Sequence, residues 1–222
     1  MWQRGADYTL NYPYAYATYS PCFATEFQEL YRQIRPHTVV TEDRCFVLHR
    51  LARQCAHLPG AVAECGVYRG GTAFLIAHAL ADAKKPLHLF DTFAGMPAEA
   101  DADPGIHAAG DLGDTSLERV EALLRPFSSV TCHPGTLPAT LASVAGEAFS
   151  LVHLDVDLYE TTRDCCSFFY PRLVGGGMLV IDDYGFEAHR HTARKAIDEF
   201  FADKPEVTLP LRTGQCLVIR IP

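Results

Sequence analysis

Two short runs concentrate the carboxylates that could do chemistry. His153-Leu154-Asp155-Val156-Asp157-Leu158-Tyr159 ends one apolar stretch, and Ile181-Asp182-Asp183-Tyr184-Gly185 ends the next. Asp155 and Asp157 stand two apart, so on extended backbone both point to the same side. Four carboxylates brought to neighbouring strand tips repel one another unless a cation lies among them. A site of oxygen donors alone, needing no His or Cys, favours a hard ion such as Mg²⁺. Any one of these acids could instead cap the helix that follows it, but caps alone leave four at adjacent tips unexplained.

A second group of candidates precedes them. The run Glu64-Cys65-Gly66-Val67-Tyr68-Arg69-Gly70-Gly71 follows an apolar strand, yet it is not G-x-G-x-x-G. Tyr68 stands where a dinucleotide site needs glycine for backbone to approach a pyrophosphate. An acidic residue beside an open turn instead suits a cofactor that carries an ammonium and a sulfonium. Asp91 lies 25 residues beyond Gly66, at the tip of the next strand, where an acid is placed to take a ribose diol. A turn aspartate would use the same position. Taken alone, the two tips indicate an adenosine-containing cofactor without separating S-adenosylmethionine from NAD.

The elements that must position these residues alternate. Strands are expected at 61–65, 86–91, 129–133, 149–155 and 177–182, and helices at 72–83, 116–124, 138–144, 159–173 and 192–202. Residues 207–221 contain two strand-like runs around Thr213-Gly214, the pattern of a hairpin. Strand–helix alternation with continuously apolar strands predicts a buried, mostly parallel α/β sheet with helices on both faces and an antiparallel edge. Residues 92–114 form a Gly/Pro/Asp-rich loop too long for a plain connector, which marks it as functional. Thr41-Glu42-Asp43 opens a helix with apolar positions at Phe46, Leu48, Leu51 and Cys55. Residues 1–40 show no helical or strand period. Their tyrosines 8, 12, 14, 16 and 19 suit a substrate lid or an oligomer contact.

The remaining polar residues weigh less. His153, inside an apolar strand, reads as a satisfied core histidine. His189 and His191 read as solvated or substrate-facing residues rather than metal ligands. Cys165 and Cys166 read as packing residues on a helix. The eight cysteines form no C-x-x-C pair, so a zinc knuckle is not expected, and reduced thiols in a cytoplasm are the simplest reading. The net charge of -8 argues against a nucleic-acid or anionic-membrane surface. No apolar run has transmembrane length, and the first twenty residues lack the apolar stretch of a signal peptide.

The runs AECGVYRGGTA, LFDTFAGMP, HLDVDLYETT and GGGMLVIDDYG together resemble the macrocin O-methyltransferase family of antibiotic-sugar methyltransferases, the mycinamicin and novobiocin type. The resemblance runs from about residue 38 to about residue 201. It implies a Rossmann-like class I methyltransferase domain over 41–222, a seven-stranded sheet, S-adenosylmethionine as methyl donor, and Mg²⁺ dependence. By position it implies Asp155, Asp182 and Asp183 as metal ligands and Asp157 as general base. It makes Glu64, Gly66, Val67, Tyr68 and Asp91 cofactor contacts, together with Thr38, Thr92, Phe93 and Asp155, and puts Asp114 and Ser116 on the adenine side. Val156 stands where relatives carry glycine, and Thr162 where they carry serine, so the acceptor is not inherited.

The expected acceptor is a hydroxyl of a small molecule, with a glycosylated natural product as the class, and the chain is expected to be a homo-oligomer. Two rivals use the same scaffold: another metalloenzyme (a hydrolase or an Fe(II) oxygenase), or a non-catalytic S-adenosylmethionine-binding protein. No 2-His-1-carboxylate pattern surrounds Asp155 in the sequence, which counts against the oxygenase.

Overall fold

A computed structural model describes residues 25–98, 100, 103 and 107–222, so the tyrosine cluster at 8–19 lies outside the described residues. Five parallel strands carry the fold: β1 (Ala61–Cys65), β2 (Leu87–Asp91), β3 (Val130–Pro134), β4 (Phe149–Leu154) and β5 (Leu173–Ile181). β6 (Leu209–Pro210) and β7 (Cys216–Ile219) add the expected antiparallel hairpin, and the sheet runs β3-β2-β1-β4-β5-β7-β6. The chain builds outward from β1 to β3, then returns to start β4 on the other side of β1. That reversal opens a crevice beyond the carboxyl ends of β1 and β4, where open α/β sheets bind ligands.

Every residue of β1 and β4 is buried, because helices cover both faces. The pleat then divides side chains between two cores. Ala61, Ala63, Cys65, Val152 and Leu154 pack with α5 (Tyr159–Phe169) and α6 (Ala193–Phe201). Val62, Leu151 and Val180 pack with α2 (Glu42–Cys55), α3 (Gly71–Leu80) and α4 (Leu117–Leu124). The same alternation sends Glu64, His153 and Asp182 to the α2 face. A polar layer therefore ends that core, directly beneath the crevice.

The boundaries depart most from expectation at three places. Helix α5 stops at Phe169, not 173, because Pro171 cannot continue it; a 3₁₀ turn follows and β5 begins at Leu173. β5 then absorbs a register shift at its glycines, with Gly176 at φ 78. Residues 25–34 form a helix, α1 (Thr25–Ile34), where no period was expected. Its Phe27, Leu30 and Ile34 share one face and pack on Val40, Cys45 and Leu75. The seven described cysteines are free. All but Cys132 are buried, and Cys165 and Cys166 sit in the α5 core as expected.

Candidate active site

The turn after β1 brings the crevice's two walls together. Gly66 has φ 84, and a Cβ there would lie 1.8 Å from the Asp155 carbonyl oxygen, so only glycine lets β1 and β4 close at their tips. The Asp155 amide donates to the Cys65 carbonyl at 2.9 Å across that contact. Asp91 clamps the same turn from β2: Oδ2 accepts from the Val67 and Tyr68 amides at 2.6 and 3.0 Å, and Oδ1 from the Phe93 amide at 2.7 Å. Asp91 thus serves the turn with a carboxylate that also lines the cavity.

That cavity, of about 380 Å³, runs from Thr38, Gly66, Val67, Tyr68, Asp91 and Thr92 to Asp155, Asp157, Asp182 and Asp183. Its size suits a small-molecule ligand. The long loop expected at 92–114 contributes Met96, Pro97, His107 and Leu112 to its wall. Oxygen atoms of Asp155, Asp157 and Asp183 lie within 4.8 Å of one another. Burial first, then the charges of Asp182, Asp183 and Asp157, push the Asp155 carboxyl well above the usual carboxylate range. Burial and Asp183 do the same to Asp157. Carboxylates so close coexist as anions only with a cation among them, and an all-oxygen donor set fits Mg²⁺.

Asp182 is placed differently from its neighbours. It is fully buried, with one oxygen on the Arg44 guanidinium and the other accepting from Gln215 Nε2 at 2.8 Å. Arg44 also reaches Asp183 Oδ1 at 3.5 Å and lies over the Phe186 ring. Burial opposes the Asp182 charge, yet His153, Arg44 and Gln215 together hold its carboxyl below the usual range. His153 is buried, as expected, but it is more than a packed core residue. Its Nδ1 meets Glu64 Oε1 at 2.9 Å and its Nε2 stands 3.6 Å from Asp182 Oδ1. Burial would depress the imidazole, but the nearby carboxylates of Asp182 and Glu64 outweigh it and raise it to about 9. Arg44 and His153 thus neutralise part of the acidic layer.

Several expected contacts lie elsewhere. Glu64 is wholly buried behind His153 and does not line the cavity. Phe93 is buried in the α2-side core and touches the site only through its amide. Asp114 is exposed, bonded to the Tyr68 hydroxyl at 2.7 Å and paired with Arg69. Ser116 caps α4, accepting from the Arg119 amide at 3.4 Å. His189 is buried in the cavity wall, so of the two readings, solvated or substrate-facing, the first does not hold for it; His191 is exposed. A 2-His-1-carboxylate group, absent from local sequence, is formed in space by His107, Asp157 and His189. Sequence reading missed Arg44, His107 and Gln215. Only Arg44 left a signal, as a charge four residues before Leu48 in the buried stripe of α2.

Strand order, helices on both faces and a crevice at the β1/β4 reversal define a Rossmann-like class I methyltransferase fold. The structure of the O-methyltransferase NovP aligns with a TM-score of 0.67 at 24% identity, covering 84% of this chain and 83% of that one. CalS11, a calicheamicin methyltransferase, aligns over 98% of both chains with a TM-score of 0.64 at 19% identity. Within that fold, residues 32–215 match the Macrocin-O-methyltransferase (TylF) family, and the chain belongs to it. It is 31% identical over 60% of its length to the 8-demethyl-8-(2,3-dimethoxy-alpha-L-rhamnosyl)-tetracenomycin-C 4'-O-methyltransferase of Streptomyces olivaceus. It is 30% identical over 64% of its length to the mycinamicin III 3''-O-methyltransferase of Micromonospora griseorubida. The matches span 56% and 61% of those relatives, less than two thirds of their length.

Proposed function

We propose that this chain is an S-adenosylmethionine-dependent, Mg²⁺-dependent O-methyltransferase acting on a sugar hydroxyl, or another hydroxyl with a neighbouring oxygen, of a small natural product. One observation carries the reading. A clamped glycine turn and an acid at the β2 tip open into the same cavity as the carboxylates at the ends of β4 and β5. The rhamnosyl group in the name of the Streptomyces olivaceus relative supports a sugar acceptor.

When bound, the cofactor supplies a methyl group on a sulfonium, and the divalent ion supplies charge that lowers the proton affinity of a nearby hydroxyl. The protein's part is positioning and proton transfer. Asp91 offers its remaining lone pairs to a ribose diol, while Gly66 keeps the turn open. Asp155, Asp182 and Asp183 would hold the ion. Arg44 and Gln215 already engage one oxygen each of Asp182, so it has fewer lone pairs to give than Asp155 or Asp183. Asp157 has φ 59, a left-handed turn that takes it off the strand line and sets its carboxylate against the cavity. There it takes the acceptor's proton as general base. Leu137, Leu112 and Val156 line the cavity and keep water from the reacting oxygen.

A thermal-shift comparison of S-adenosylmethionine, S-adenosylhomocysteine and NAD, with and without Mg²⁺, tests the cofactor. Assay of rhamnosylated polyketides by mass spectrometry tests the acceptor. Stabilisation by the two sulfur cofactors, and methylation abolished by EDTA and restored by Mg²⁺, are expected. Stabilisation by NAD alone, or full turnover without metal, would overturn the reading.

A further inference from the structure

His107, Asp157 and His189 reach one point on the cavity wall from three separate parts of the chain: the long loop after β2, the end of β4 and the 3₁₀ turn before α6. His107 Nε2 stands 3.7 Å from Asp157 Oδ2, and His189 Nδ1 stands 3.6 Å from Asp157 Oδ1. Each ring thus aims a nitrogen at a different oxygen of one carboxylate. These separations are too long for hydrogen bonds. They lie close to the edge of a tetrahedral coordination shell, roughly 3.3 Å for metal–ligand distances of about 2.0–2.1 Å. All three donor atoms fall within 4.8 Å of one another. Behind His107, Asp111 Oδ2 is 3.8 Å from Nδ1.

The donor chemistry differs from that of the acidic cluster beside it. Mg²⁺ prefers oxygen and keeps its waters, whereas imidazole suits Zn²⁺, Co²⁺, Ni²⁺ and Cu²⁺. Three protein ligands facing a cavity also leave a coordination position open.

We propose that His107, Asp157 and His189 form a second divalent-metal site, selective for a transition-metal ion such as Zn²⁺ over Mg²⁺, beside the carboxylates of Asp155, Asp182 and Asp183. The ion draws on the same carboxylate that the proposed methyl transfer uses as its base. Zn²⁺ bound there would occupy the lone pairs of Asp157 and act as an inhibitor rather than as a cofactor.

The test uses the full chain with Mg²⁺ in excess, without cofactor or acceptor, so its outcome is separate from that of the methyl-transfer reading. Co²⁺ is titrated and followed by its visible absorption, and Zn²⁺ by competition against bound Co²⁺. One Co²⁺ per chain is expected to bind under excess Mg²⁺ and to be displaced by Zn²⁺. His107→Gln and His189→Gln should each weaken it by about 10–100-fold or more, the loss known for groups that merely support a ligand being a lower bound. Asp155→Asn should leave the Co²⁺ spectrum in place. Displacement of Co²⁺ by Mg²⁺, or a spectrum unchanged in both histidine variants, would put the ion among the carboxylates and overturn the proposal. Because a variant can fail to fold, crystals of the unsubstituted chain soaked in Zn²⁺ give a second reading. An anomalous peak at bonding distance from His107 Nε2 and His189 Nδ1 supports the site. A peak confined to Asp155, Asp182 and Asp183 refutes it.

Discussion

Replacing Gly66 by alanine tests whether the β1/β4 contact holds the crevice together. The new Cβ would start 1.8 Å from the Asp155 carbonyl oxygen, and real contacts do not fall below 3.0 Å, so the strand tips must part by about 1.2 Å. Neither atom is a flexible side-chain end; both belong to backbone inside a buried sheet. The left-handed φ of 84 costs a residue with a Cβ about 1–2 kcal/mol. Separation removes the Asp155 amide bond to the Cys65 carbonyl, worth about 1 kcal/mol. It also pulls Val67 and Tyr68 from Asp91, and losing one of those charged bonds costs about 1.5–3 kcal/mol. The total is about 3.5–6 kcal/mol, a large share of the stability of a domain this size. Urea unfolding should report that loss, and calorimetry should find S-adenosylhomocysteine binding gone even where the fold survives at low temperature. A folded variant within about 1 kcal/mol of the unsubstituted protein, with unchanged cofactor affinity, would refute the reasoning.

Four further outcomes are expected. Asp157→Asn should lower kcat by about 10²–10⁴-fold with Mg²⁺ affinity nearly unchanged, as for a lost general base. Asp155→Asn should weaken Mg²⁺ binding and be partly rescued by excess ion, and Asp182→Asn should weaken it less, since Arg44 and Gln215 already engage that carboxylate. Rescue of Asp157→Asn but not Asp155→Asn in a Mg²⁺ titration would reverse the two roles. Asp91→Asn should weaken S-adenosylhomocysteine binding by about 1.5–3 kcal/mol, with unchanged calorimetric affinity removing Asp91 from the site. The last concerns pH. Burial, with smaller contributions from His78, Arg53 and Arg50, lowers the His49 imidazole to about 4, below its 6.5 in an unfolded chain. The folded state therefore binds fewer protons, so the His49 contribution is full above pH 6.5 and is lost as pH falls towards 4. Urea midpoints of His49→Leu should fall less steeply over this range, and parallel pH slopes would show that His49 is not the group responsible.

The sequence by itself determined the parts of this protein that depend on short-range order. Continuous apolar runs marked the buried strands, and punctuation by Gly, Pro and Asp marked the turns. Asp91, Asp155, Asp157, Asp182 and Asp183 were legible as tip residues because strand ends face the crevice in any parallel sheet. What the pleat and the packing decide was not legible. Glu64 reads as a free acid at a strand end, yet alternation turns it inward to His153, 89 residues away. Asp182 and Asp183 are neighbours in sequence and both line the cavity, but only Asp182 is fully buried, held by Arg44 and Gln215. Arg44 pairs with Asp182 across 138 residues, a separation at which no local pattern predicts contact. His107 and His189 likewise approach Asp157 only because a loop, a strand end and a helix entry converge at the carboxyl end of the sheet. Periodicity specifies which face a residue takes within its own element; only the tertiary structure decides what stands opposite it.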